Sequence, residues 1–191
     1  MNKTKRTRNF MLYGHIFLAI IMVFVLCNIS QAVEINLSYG ENIHWLNSTK
    51  NTGLESKMLE LEIRKPVKRW LKLGVVGTMI QSNKFAKPYN IDGKSYSNGT
   101  YTTVIFSGRF TAHKSFLNIM FTELYVGLGL NTQNHYPEFG DSGVISDAGV
   151  NIGVKLTNSC TIKYGLSHWS DPLQHGDKGH NFQYISIGIN W

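Results

Sequence analysis

The chain has 191 residues, with 19 Lys or Arg against 12 Asp or Glu, and a formal net charge of +7. Four of these basic residues and none of the acidic ones lie in the first 32 positions, so the remainder carries only +3, too little to indicate a nucleic-acid-binding protein. Of the two cysteines only Cys160 lies beyond that segment, which excludes a disulfide-stapled scaffold.

The first 32 residues have the three parts of a secretory signal peptide. Lys3–Arg8 is the charged region, Phe10–Leu26 the apolar region, and Ser30–Ala32 a small-x-small cleavage motif. We predict that cleavage after this motif leaves residues 33–191 as one domain. An uncleaved transmembrane anchor is the alternative, because the apolar region is about long enough to cross a bilayer.

Beyond residue 32 the sequence predicts strands. No window is apolar enough to form a transmembrane helix. Instead, runs of about ten alternating apolar and polar residues end in turn-forming residues, a pattern typical of strands with one apolar face. We predict eight strands, at Glu34–Ile43, Lys57–Ile63, Trp70–Gln81, Tyr101–Thr111, Leu117–Leu130, Gly143–Leu156, Thr161–Ser170 and Asn181–Trp191.

The connections between these strands alternate between long and short, starting with a long one. An even-stranded outer-membrane barrel has short periplasmic turns and longer outer loops. The sequence therefore predicts an all-β protein, an eight-stranded antiparallel transmembrane β-barrel of the bacterial outer membrane. The short connections are Arg64–Arg69, Ala112–Phe116 and Thr157–Cys160, and the long ones are His44–Ser56, Ser82–Thr100, Asn131–Ser142 and Asp171–His180.

Two further features favour a membrane barrel. Closure removes the unpaired sheet edge, which hydrocarbon does not tolerate. The ending Ile185-x-Ile-x-Ile-x-Trp191 resembles the C-terminal signal of the barrel assembly machinery, which makes that machinery an expected partner during biogenesis. So narrow a barrel would be filled by side chains, so we do not expect a transport channel. A soluble barrel of lipocalin type or a periplasmic sandwich is the alternative.

Four polar side chains lie on the face of two predicted strands that is otherwise apolar. Side chains alternate between the two faces of a strand, so His168 and Ser170 share a face with Ile162, Tyr164 and Leu166. In the last strand, Asn181 and Gln183 share a face with the apolar residues that follow them. A polar group that faces lipid is costly unless it has a partner or lies at the interface. We therefore expect this set at the headgroup level of the outer leaflet.

These residue types can perform nucleophilic catalysis. A serine attacks an ester efficiently only when a base takes its proton and a third group orients that base. Ser170 is the candidate nucleophile, His168 the base, and Asn181 the group that orients His168. The alternative is that His168 and Ser170 bind only lipid phosphate or water at the interface.

The chain resembles the lipid A 3-O-deacylase family, the outer-membrane acyloxyacyl hydrolases of PagL type. The resemblance covers the signal peptide, the eight strands, the His168-Trp169-Ser170 motif and the glycine-containing loop that follows it. It implies a lipid-facing serine esterase that removes the ester-linked 3-hydroxyacyl chain at position 3 of lipid A without a metal or other cofactor. Lipopolysaccharide would then be the substrate, and other outer-membrane lipids would surround the site.

This chain departs from the family pattern around the motif. Asp171 stands where the family usually has Asn, and Asp177-Lys178-Gly179 stands where it has Asn-Pro-Gly. The family's orienting acid falls on Asn181, and its oxyanion-stabilising Asn falls on Asp177, whose carboxylate would repel the developing charge. The backbone of Gly179, or Lys178, could replace that donor. Alternatively Asp177 orients His168; Asp171 is the weaker candidate, because it faces the other side of the strand.

Several other possibilities stay open at this point. One is a non-catalytic small barrel, structural or adhesive, and another is a different outer-leaflet lipid acyl hydrolase. Homodimerisation is also left open, and we expect no nucleic-acid partner. The remaining histidines lack the spacing of a zinc site. We expect His175 and His180, in the predicted last loop, to be exposed.

Overall fold

A computed structural model describes residues 33–43, 55–83, 89–91, 94–96, 100–132, 143–173 and 179–191. The predicted signal peptide lies outside these residues. In the described part of the chain no helix is long and apolar enough to cross a membrane. The strands are β1 (Glu34–Asn42), β2 (Glu55–Lys68), β3 (Leu71–Asn83), β4 (Tyr89–Ile91), β5 (Lys94–Tyr96), β6 (Thr100–Phe116), β7 (Met120–Asn131), β8 (Val144–Lys155), β9 (Cys160–Ser170) and β10 (His180–Asn190).

Eight of these strands form a closed antiparallel barrel, in the order β1-β10-β9-β8-β7-β6-β3-β2. The first and last strands close it, with Glu34 opposite Asn190 and Asn42 opposite Phe182. The predicted fold is therefore confirmed. The predicted loop Ser82–Thr100 is wrong in one respect, because β4 and β5 within it pair as a separate two-stranded hairpin.

The turn between β6 and β7 lies later than the sequence predicts. The prediction placed it at Ala112–Phe116, whereas β6 runs through that segment and the chain turns at Leu117–Ile119. Leu117 and Asn118 have φ angles of 53° and 59°, as tight hairpin connections require. The apolar side chains of this turn favour a strand by sequence pattern, but they are exposed at the rim.

The turn between β2 and β3 is shorter than the predicted Arg64–Arg69. Strand β2 continues to Lys68, and its pairing with β3 shifts register between Pro66 and Lys68. Proline has no backbone N–H for the ladder, which explains the irregularity at that point. Arg64 belongs to the strand and not to the turn: it pairs with Gly74 of β3, and its side chain is buried among carboxylates.

The barrel exterior is apolar over the middle of the strands. Leucine, isoleucine, valine and aromatic side chains point outward there and alternate with inward-facing polar ones. In a soluble protein the apolar side chains would be inside and the polar ones outside. Such a surface is stable only against hydrocarbon, and the protein is accordingly a barrel of the bacterial outer membrane. Exposed apolar residues include Leu37, Tyr39, Leu61, Phe110, Leu124, Val126, Leu128, Ile152, Ile162, Ile185 and Ile187.

The interior of the periplasmic half holds buried ion pairs. The Arg64 guanidinium donates to Glu34 at 2.6 Å and to both carboxylate oxygens of Glu123 at 2.6 and 2.9 Å. Lys163 reaches from β9 to Asn36 on β1 at 2.6 Å. Charges removed from water need such partners, and here the partners come from strands on different sides of the barrel.

A second buried ion pair lies further along the barrel. The Arg109 guanidinium donates twice to Glu60, each time at 2.8 Å, and twice to Asp147 Oδ2, at 2.8 and 2.6 Å. It also lies 4.2 Å from the centre of the Tyr125 ring. This one side chain therefore links β6 to both β2 and β8.

Replacing Arg109 with alanine is expected to destabilise the barrel by about 3–5 kcal/mol, because Glu60 and Asp147 would remain buried without their counter-ion. The free energy of unfolding, measured by urea titration of protein refolded in lipid vesicles, checks this. Arg69→Ala is the control, because Arg69 lies in the exposed turn after β2. Equal stability of the two variants would contradict the prediction.

The interior of the outer half contains an apolar cluster beside buried polar residues such as Ser56, Thr103 and His180. Its buried cluster consists of Met58, Ile80, Ile105, Tyr125, Ile145, Trp169, Phe182 and Tyr184. Because side chains alternate, Ile145, Trp169 and Phe182 of this cluster lie behind the outward-facing positions at the outer ends of β8, β9 and β10. A packed core therefore supports the barrel wall at that level.

Candidate functional site

The polar side chains predicted to share a face lie together at the outer end of the barrel wall. His168 is exposed, and Ser170 and Asn181 are half-buried, on the face that carries the apolar belt. Strand β9 runs eleven residues from Cys160 to Ser170, and roughly 9–11 residues are enough for a tilted strand to cross the hydrocarbon. Ser170 therefore lies where the lipid headgroups of the outer leaflet begin.

His168 and Asn181 form a cross-strand pair. They are directly opposite in the register of β9 and β10, and His168 Nδ1 lies 2.9 Å from Asn181 Oδ1. With its proton on Nδ1, the imidazole donates to the amide oxygen, and Nε2 is left with a free lone pair. This is the tautomer that a general base needs.

Ser170 is hydrogen-bonded to a serine that the sequence analysis missed. Ser146 lies opposite Ser170 in the register of β8 and β9, and the two hydroxyl oxygens are 3.1 Å apart. Ser146 Oγ also lies 3.2 Å from the backbone oxygen of Ser170, to which it can donate. The parity of β8 could have indicated this residue, because Ser146 continues the outward face of Val150 and Ile152.

Gly179 is packed against the edge of the His168 ring. Its φ is +61°, which L side chains rarely adopt. A Cβ at this position would lie 2.3 Å from His168 Cε1 and 2.7 Å from Nε2. The glycine thus allows the chain entering β10 to pass beside the imidazole and restricts where that ring can lie.

The other predicted residues near the site do not join the His168–Asn181 pair on the outward face, or they lie outside the described residues. Asp171 is buried, and its Oδ1 accepts a hydrogen bond from the backbone N–H of Leu173 at 2.9 Å, so it orders the turn after β9. Asp177 and Lys178 lie outside the described residues, as does His175. The expectation of an exposed His180 is wrong: it begins β10, is fully buried and stacks on Phe182 with ring centroids 4.9 Å apart.

The polar surface continues from the candidate site onto β1. The Tyr164 hydroxyl donates to Gln183 Oε1 at 3.2 Å, and Gln183 Nε2 donates to Glu41 Oε1 at 3.5 Å. Both Gln183 and Glu41 face outward at the ends of their strands. The outer rim therefore offers hydroxyl, amide and carboxylate groups beside the His168–Asn181 pair.

The site residues are held on a rigid part of the barrel. Trp169, between His168 and Ser170, is fully buried, as is Phe182 beside Asn181, and Ile145 beside Ser146 is 1% exposed. Each outward polar residue thus has a chain neighbour anchored in the apolar core. Within the described residues, no group of three or more His, Cys, Asp or Glu side chains is placed to hold a metal ion.

The sequence matches no protein-family model and no curated protein. Solved structures do resemble it. The crystal structure of the outer membrane enzyme PagL has a TM-score of 0.53 at 13% identity, covering 81% of this chain and 98% of that one. The backbone structure of the Yersinia pestis outer membrane protein Ail in a nanodisc has a TM-score of 0.50 at 12% identity, covering 85% of this chain and 100% of that one.

A de novo designed transmembrane β-barrel is similarly related, with a TM-score of 0.52 at 8% identity, covering 84% of this chain and 95% of that one. These likenesses concern the fold, because the sequences are so different. An enzyme, an outer membrane protein of Yersinia pestis and a designed chain share the same architecture, so function has to be argued from the site. The protein has the fold of the small outer-membrane β-barrels.

Proposed function

We propose that the protein is an outer-membrane serine esterase that removes the ester-linked 3-hydroxyacyl chain at position 3 of lipid A. The observation that supports this most is the lipid-facing pairing of His168 with Asn181 at 2.9 Å, on the same outer rim as Ser170. A hydroxyl, an imidazole and an orienting amide are the groups that serine ester hydrolysis uses, and here they lie at the level of the outer-leaflet headgroups.

In the proposed reaction Ser170 Oγ attacks the ester carbonyl carbon while His168 Nε2 takes the hydroxyl proton. Asn181 holds Nδ1 of the imidazolium through its side-chain oxygen. Collapse of the tetrahedral intermediate releases the sugar oxygen, which receives the proton from His168. Water then hydrolyses the acyl-enzyme by the same steps, with His168 again acting first as base and then as acid.

The surroundings of His168 suit a lipid substrate. Its neighbour on β8 is Ala148, a small exposed residue that leaves the imidazole accessible from the membrane side. Below it the exposed side chains of Val150 and Leu166 lie opposite each other. An acyl chain of lipid A can lie along this apolar surface while its ester group reaches the polar rim.

Mass spectrometry of lipid A tests the proposal. Lipopolysaccharide is incubated with the refolded protein and, separately, with the same protein unfolded by heat. Loss of one 3-hydroxyacyl mass with the folded protein alone is the expected result. Unchanged lipid A in the presence of a correctly folded barrel would exclude this activity.

Replacing Asn181 with aspartate is expected to raise kcat by roughly tenfold, because a carboxylate stabilises the imidazolium better than an amide of the same shape. Steady-state kinetics on lipopolysaccharide measure the change. Gln183→Glu is the control: it also exchanges an amide for a carboxylate, two residues along the same face, where the amide contacts Tyr164 and Glu41. An equal gain in both variants would show a general charge effect and contradict the role given to Asn181.

A non-catalytic barrel is the second candidate, and one observation favours it. The Ser170 hydroxyl is hydrogen-bonded to Ser146, and the His168 imidazole is hydrogen-bonded to Asn181. A barrel with a structural or adhesive role could use both pairs merely to satisfy polar groups at the interface. Such a protein would leave lipid A unchanged in the experiment above.

A further inference from the structure

Ser146 is in direct polar contact with the candidate nucleophile. Its Oγ lies 3.1 Å from Ser170 Oγ and 3.2 Å from the Ser170 backbone oxygen. Because the backbone oxygen can only accept, Ser146 donates its proton there and accepts the proton of Ser170. Ser146 is half-buried, outward-facing and fixed by the buried Ile145 beside it.

Ester hydrolysis requires a hydrogen-bond donor to the oxyanion. The sequence offers the backbone of Gly179, or Lys178, for this role, and Ser146 is a further candidate. When Ser170 attacks, negative charge develops on the carbonyl oxygen, which is then two bonds from Ser170 Oγ. Stabilisation of that oxyanion by one well-placed donor typically contributes about 10²–10³ in kcat. The carboxylate of Asp177, where the family resemblance places the donor, would repel that charge.

We propose that the Ser146 hydroxyl donates to the oxyanion when Ser170 attacks a lipid ester; this inference rests on the proposed function. The geometry suits the role, because an atom already in contact with Ser170 Oγ is within reach of an oxygen two bonds away from it. For this the Ser146 hydroxyl rotates about its C–O bond from the backbone oxygen of Ser170 towards the oxyanion, and the Ser170 hydroxyl turns from Ser146 towards His168.

The attack on the ester moves one proton and one electron pair. Ser170 Oγ forms a bond to the carbonyl carbon, its proton passes to His168 Nε2, and the π electrons of the carbonyl become a lone pair of the oxyanion. Ser146 contributes a hydrogen bond and exchanges no proton. As the intermediate collapses, the lone pair re-forms the carbonyl, and the sugar oxygen leaves with the proton from His168. The hydroxyl of Ser146 then returns to the backbone oxygen.

The test compares Ser146→Ala, Ser146→Thr and Ser146→Val in steady-state hydrolysis of lipopolysaccharide. Thr and Val have the same shape, so they differ at this position only in the hydroxyl. Ser146→Ala and Ser146→Val are expected to lower kcat about 10²-fold with little change in KM, and Ser146→Thr to stay within a few-fold of wild type. Ser115→Ala, at an exposed position near the periplasmic turn, is the control for loss of a hydroxyl.

Equal kcat values for the Thr and Val variants would overturn the inference, as would a rise in KM alone. A Ser170→Ala variant that formed an acyl adduct on Ser146, mapped by peptide mass spectrometry, would also overturn it, because Ser146 would then be a nucleophile. Failure of the proposed function is distinguishable from these outcomes. In that case wild-type protein itself leaves lipid A unchanged, and an alkyl fluorophosphonate probe does not label Ser170.

Discussion

Replacement of Ser170 with alanine is expected to abolish the release of 3-hydroxyacyl chains from lipid A, with kcat reduced by about 10⁴-fold or more. The reason is chemical: alanine offers no oxygen to form the acyl-enzyme. The side chain is only half-buried, and the hydroxyl bonds to Ser146 at the rim, so the barrel should fold as before. Mass spectrometry of lipid A measures the product, and the shift of the folded band on unheated gels reports folding.

Ser115→Ala provides the matched control for that variant. It removes a hydroxyl from an exposed position at the other end of the barrel, where Ser115 contacts His113 Nε2 at 3.0 Å. Its activity should equal that of wild type. Residual hydrolysis in Ser170→Ala at a tenth of the wild-type rate or above would mean that another group carries the reaction.

Alanine in place of Gly179 is expected to lower kcat/KM about 10²-fold or more, although residue 179 offers no side chain to the reaction. The new Cβ would lie 2.3 Å from His168 Cε1, so the imidazole has to move. A displacement of about 1 Å at a catalytic group can cost 10²-fold in rate. The positive φ of +61° adds about 1–2 kcal/mol of backbone strain for any L side chain.

Gly77→Ala is the control for Gly179→Ala. Gly77 lies on the outward face of β3, and its new Cβ would meet only Phe106, at an ordinary 3.6 Å. Both variants are assayed for hydrolysis and for the free energy of unfolding. A Gly179→Ala protein that stays folded and hydrolyses lipid A at the wild-type rate would show that His168 does not need its present position.

The barrel was predictable because apolar side chains recur at every second position along the outward faces of its strands. The two-residue period of a strand identifies the outward-facing residues even when the adjacent strands are unknown. The alternation of long and short connections then gives the number of strands and their orientation in the membrane. The turns were less predictable. Exposed apolar residues at Leu117–Ile119 look like strand by pattern, and only the backbone conformation of Leu117 and Asn118 shows a turn.

The candidate site was predictable in part, because the alternation of side chains along a strand assigns each residue to a face. Parity places His168, Ser170 and Asn181 on one face, and all three lie there. Parity cannot give register, which depends on how far each strand slides past the next. The sequence therefore could not establish that Asn181 rather than Gln183 lies opposite His168, or that Ser146 lies opposite Ser170.

The ion pairs inside the barrel also constrain how the chain can assemble. Arg64 on β2 pairs with Glu34 on β1 and Glu123 on β7, and Lys163 on β9 pairs with Glu34 on β1. The contacts of Arg64 with Glu123 and of Lys163 with β1 connect strands far apart in sequence. A partly assembled sheet would therefore carry these charges into the bilayer without all of their partners. Insertion and closure should therefore occur together, as one concerted transition in which the first and last strands meet before the interior loses its water.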